Sequence, residues 1–154
     1  MEQNTLARWL KTISVCLGSA AAVFYFLLLP LWAKAAIERE HYWYWMAFFW
    51  LTLIPNYLSL WQFWRICCQI GHDNSFSMEN ADSFRRISRI LAFEALLLFV
   101  GVLVMVLTGM GHPNLCILLL LIMLAVLSVS ILAAVLSHLV MKAYQLKQEN
   151  DLTI

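Results

Sequence analysis

Apolar residues fall into four long runs separated by short polar intervals, and this pattern predicts an all-α protein with one helix per run. The runs cover about residues 12–32, 46–66, 90–108 and 115–144. Each matches the roughly 20 apolar residues that a helix needs to cross a hydrocarbon core of about 30 Å. The last run is nearly thirty residues and is expected to project past the bilayer by about two turns at 1.5 Å per residue. No repeat, linker or low-complexity tract divides the chain, so residues 1–154 read as a single domain, an integral membrane four-helix bundle.

The polar interval at residues 67–89 is the longest and reads as a joint between the second and third spans. Ser77 stands where an N-cap belongs, with Glu79 and Asp82 on the positive end of the helix dipole, so a helix is expected to start at about Met78. Phe84, Ile87 and Leu91 recur at helical spacing and carry that helix into the third span. In the other loops, Tyr42-Trp43-Tyr44-Trp45 predicts an interfacial aromatic belt, and Gly109 to Asn114 a tight turn. Two prolines interrupt the runs: Pro30 is expected to mark the end of the first span, and Pro55 to kink the second. Gly18, Ser19 and Ala20 to Ala22 form a small-residue face expected to pack against another span, and the sequence is separately compatible with an oligomer.

Composition agrees with lipid as a partner: 63% of residues are hydrophobic and 12% charged, about half the charged fraction of a soluble domain. The mean hydropathy is +0.78. A formal charge of +1 without a concentrated basic face argues against direct nucleic-acid binding. The ten Lys and Arg residues divide unequally. Arg8, Lys11, Arg65, Arg85, Arg86, Arg89, Lys142 and Lys147 fall on one side, and Lys34 and Arg39 on the other. The positive-inside rule then puts both termini and the joint in the cytoplasm. Arg8 and Lys11 before an apolar run resemble a secretion signal, but the run ends in Pro30-Leu31-Trp32 rather than a small-residue cleavage site, so it is expected to be retained as a span.

Candidate chemistry is sparse. Four cysteines imply no disulfide framework, and Cys67-Cys68 with His72 is a weak metal pattern, so neither metal nor other cofactor is expected. No nucleophile elbow, phosphate-binding glycine loop or helical His-Glu metal motif points to an enzyme. Glu94 is the one acid inside an apolar run. It lies five residues past Arg89, about 7 Å along a helix, which predicts a position in the inner leaflet. There it is expected either to snorkel to water or to meet His138 and Lys142, which share a face of the fourth helix, with Gln62 close by.

Two stretches carry a resemblance: Phe76-Ser77-Met78-Glu79-Asn80 followed by Phe84-Arg85-Arg86-Ile87, and the terminal Glu149-Asn150-Asp151-Leu152-Thr153-Ile154. Together they resemble the bacterial domain-of-unknown-function family 2975, small four-span membrane proteins of the cell membrane. The resemblance implies no activity. It does imply a neighbour, a Cro/CI-type helix-turn-helix regulator, and hence a membrane partner for a transcription factor.

These readings lead to a non-enzymatic protein that binds a cytoplasmic partner through residues 71–89 and the C-terminal tail. Phe76 and Phe84 would be apolar anchors, with Arg85, Arg86 and Arg89 as a charged rim. A small transporter or channel subunit that uses Glu94 is the alternative, and a structural subunit of a larger assembly is the third reading.

Overall fold

A computed structural model describes residues 3–37, 39–71, 76–109 and 113–151. Four helical rods account for nearly all of them. The first is α1 (Gln3–Val23), a π-helical turn (Phe24–Leu28) and α2 (Leu29–Ala36) in unbroken succession, followed by α3 (Tyr42–Gly71), α4 (Met78–Thr108) and α5 (Pro113–Asp151). Three stretches, Thr5–Lys34, Met78–Thr108 and Pro113–Asn150, are long and apolar enough to cross a membrane. In α3, which is 30 residues long, much of the apolar bulk is Trp43, Trp45, Trp50, Trp61 and Trp64, whose ring N–H groups lower their hydropathy.

The helices outrun the apolar runs at both ends. The first rod starts at Gln3 rather than near Thr12 and continues through Pro30, whose missing N–H falls just after the π-helical turn, where the ladder is already shifted to the Leu29 N–H donating to the Phe24 carbonyl. Pro55 likewise lies inside α3 without ending it. The aromatic belt is part of α3 and divides by face. Trp43 and Tyr44 are 70% and 77% exposed, as interfacial anchors would be, whereas Trp45 at 5% belongs to the core.

The start of α4 follows the expected local chemistry. Ser77 is its extended N-cap, and its hydroxyl accepts the Asn80 backbone N–H at 3.2 Å. At the far end Gly109 takes a left-handed conformation (φ 66°), the usual helix-terminating geometry for glycine. Of the rest of the expected turn, residues 110–112 lie outside the described residues, and Pro113 and Asn114 already belong to α5.

Packing runs in series: the first rod against α3, α3 against α4, and α4 most extensively against α5. No comparable packing joins α1 to α5 among the described residues, so the bundle is an open row rather than a closed ring. The α4–α5 seam repeats every seven residues. On α4, Ala81, Ala95 and Val102 share one register with Ser88, and Leu91, Leu98 and Met105 share the other with Phe84. On α5 the small residues Ser130, Ala133 and Ser137 are buried, which lets the backbones approach closely. Ser130 Oγ donates to the Ser88 carbonyl at 2.8 Å and Ser137 Oγ to that of Ala81 at 2.7 Å, which sets the antiparallel register.

Two apolar clusters fill the interior. Leu29, Ala33, Trp45, Met46, Phe49, Leu98, Val102 and Met105 lie in one, and Ile66, Ile87, Leu91 and Ala133 in the other. Between them runs a polar layer.

Candidate functional site

The polar layer is made by Tyr25, Thr52, Asn56 and Glu94. Asn56 Nδ2 donates to Glu94 Oε1 at 2.5 Å, joining α3 to α4. The same nitrogen is 3.2 Å from the Thr52 carbonyl and 3.4 Å from the Tyr25 hydroxyl. Tyr25 and Thr52 are linked hydroxyl to hydroxyl at 3.0 Å, and Thr52 Oγ1 donates to the Phe49 carbonyl at 2.7 Å. With the Thr52 proton so committed, the Tyr25 hydroxyl is the donor to Thr52. Glu94 is only 2% exposed, and its Oε2 is buried without a hydrogen-bond partner.

Local backbone chemistry places these groups. Tyr25 lies within the π-helical turn, whose extra residue rotates the chain that follows relative to a regular helix. Pro55 precedes Asn56 and cannot donate to the Leu51 carbonyl, which removes one rung of the α3 ladder beside the layer. Two turns further along α4, Gly101 receives the Phe48 ring so closely that a methyl group there would overlap it. Glu94 and Gly101, seven residues apart, therefore share the α4 face that meets α3.

The expected cluster of Gln62, Glu94, His138 and Lys142 does not assemble in this way. The Ser137–Ala81 hydrogen bond puts His138 beside a level of α4 that is thirteen residues, or about 20 Å, from Glu94. His138 and Lys142 are exposed. Gln62 is buried with its Oε1 unpartnered, but it lies six residues beyond Asn56 along α3, about 9 Å away. Glu94 is enclosed by the bundle instead of snorkelling along its surface. Asn56 was visible in the sequence beside Pro55, as a strongly polar residue in an apolar run. Nothing in the sequence singled out Tyr25 or Thr52.

The second candidate feature is the end of the bundle rich in Lys and Arg. Residues 72–75, His72 included, lie outside the described residues, and the joint between α3 and α4 is otherwise short. Gln69 near the end of α3 donates through Nε2 to Glu79 Oε2, and Ser77 Oγ is 3.5 Å from Gln69 Oε1. Ser77, Glu79 and Asn80 thus close the joint, the first and last of them buried. Phe84 is half-buried against the Ile66–Ile87–Leu91–Ala133 cluster, so it packs inward rather than standing free as an anchor. Phe76 is 56% exposed, and Arg85, Arg86 and Arg89 are exposed as well. Across the same end, the Lys11 ammonium stands 5.9 Å from the centre of the Trp64 ring, a cation–π contact between α1 and α3. Leu152 to Ile154 of the tail lie outside the described residues. Among the described residues no group of three or more His, Cys, Asp or Glu could hold a metal ion.

An all-helical row with membrane-length apolar helices and a capped Phe-Ser-Met-Glu-Asn joint defines the class. The chain belongs to the protein-of-unknown-function family DUF2975, whose model matches residues 37–154. That match takes in Thr52, Asn56, Glu94 and the joint, and leaves Tyr25 outside. No curated protein and no solved structure matches the chain.

Proposed function

We propose that this chain is a non-enzymatic bacterial membrane protein of four spans, with both termini and the joint in the cytoplasm, that holds a cytoplasmic protein at the membrane. The partner best suited to the family resemblance is a small helix-turn-helix regulator. The observation that carries the reading is the unequal length of α4 and α5. With Ser137 opposite Ala81, Met78 falls at the level of about Val140, and the remaining turns of α5 to Asp151 run on past the start of α4. Leu146 is 62% exposed on this projection, and Phe76, Arg85 and Arg86 are exposed at the same end. Apolar anchors with a charged rim are the usual composition of a docking surface.

The reading is tested by crosslinking and pull-down from native membranes. A helix-turn-helix regulator should be recovered with the wild type and lost from a Phe76→Ala, Arg86→Glu, Leu146→Ala variant that retains wild-type helicity. Retention of the partner by that variant, or the absence of a DNA-binding protein from the wild-type eluate, would rule the reading out. A second reading, a small transporter or channel subunit, is favoured by one observation, the unpartnered buried oxygen of Glu94.

A further inference from the structure

We infer that Glu94 Oε2 is a proton-binding site: the polar layer of Tyr25, Thr52, Asn56 and Glu94 is built to hold a neutral carboxylic acid between the two apolar clusters. The inference does not rest on the docking reading, and either can fail without the other.

Three features converge on the site. Glu94 is 98% buried with one carboxylate oxygen unpartnered, the π-helical turn brings in Tyr25, and an in-helix proline precedes Asn56. An ionised carboxylate so enclosed requires a countercharge or several donors, and the layer supplies a single amide. The remaining donors are directed elsewhere: the Tyr25 hydroxyl donates to Thr52, and Thr52 donates to the Phe49 carbonyl. Asn56 also presents its N–H group, not its carbonyl, to the acid, which disfavours a metal cation there. A proton is the charge that fits.

The neighbouring elements offer no base to take that proton. From the π-helical turn the titratable group is the Tyr25 phenol. On α3, Asn56 and Thr52 face the layer, and Tyr57 is occupied in donating to the Gly18 carbonyl at 2.9 Å. On α5, residues 115–137 contain no acid, histidine, lysine or arginine. On α4 itself the nearest charged residue is the exposed Arg89.

Infrared spectroscopy of the full-length protein in lipid vesicles tests this. At pH 7 the wild type should show the carbonyl stretch of a protonated carboxylic acid, and Glu94→Gln should remove it. Asn56→Leu, which keeps the acid and deletes its donor, should move the same band to higher frequency, and it decides the matter if Glu94→Gln does not fold. A carboxylic-acid region identical in wild type and Glu94→Gln at pH 7, or a band that Asn56→Leu leaves in place, overturns the inference.

Discussion

Asn56 Nδ2 lies 2.5 Å from Glu94 Oε1, and this hydrogen bond ties α3 to α4 near the midlength of both helices. Replacing Asn56 with Leu removes the donor and leaves both carboxyl oxygens without a partner. The variant is expected to lose about 1–2 kcal/mol, the upper range for hydrogen bonds between membrane helices. Glu94→Gln keeps an acceptor for Asn56 and should cost less than half as much. Thermal unfolding in one detergent, followed by circular dichroism, compares the two. Equal losses would mean that the hydrogen bond is not the source of the effect.

Gly101 and Phe48 make a complementary pair. Because the ring occupies the space of the absent side chain, Gly101→Ala is expected to destabilise by about 1–3 kcal/mol through overpacking. Phe48→Leu should relieve it, so the double variant should be more stable than the sum of the single effects allows. Additive losses would contradict the packing described.

Ser77→Ala should cost about 1 kcal/mol by leaving the Asn80 N–H without its cap. Hydrogen exchange resolves this locally: amides in the first turn of α4 should lose protection while those near Glu94 keep theirs. Uniform loss across α4 would show that Ser77 acts globally and not as a cap.

What was legible in the sequence divides along physical lines. Capping is decided within a few residues, so Ser77 and the helix start at Met78 could be read directly. The apolar runs marked the helices but not their ends, because apolarity reports burial in lipid or core while hydrogen-bonded helix continues into polar sequence, as at Gln3 and Asp151. Partners across helices were not legible. Whether Glu94 meets Asn56 or His138 depends on antiparallel register, and that is set by Ser130 and Ser137 donating to backbone carbonyls of α4. Tyr25 reaches the layer from a π-helical turn for which the sequence carries no marker.

The joint motif illustrates a different ambiguity. Phe76 to Asn80 stood out as polar and distinctive, which suits docking and structural closure equally well in sequence. Ser77 capping Asn80, and Gln69 donating to Glu79, assign those residues to closure and leave Phe76 and the arginines as the exposed part.

Topology underlies both the docking proposal and the intramembrane position of Glu94, and thiol labelling of intact cells measures it most directly. In a cysteine-free background, Arg39→Cys should react with a membrane-impermeant maleimide from outside. Phe76→Cys should react only after permeabilisation. Labelling of Phe76→Cys in intact cells, or protection of Arg39→Cys, would contradict four spans with the basic end in the cytoplasm.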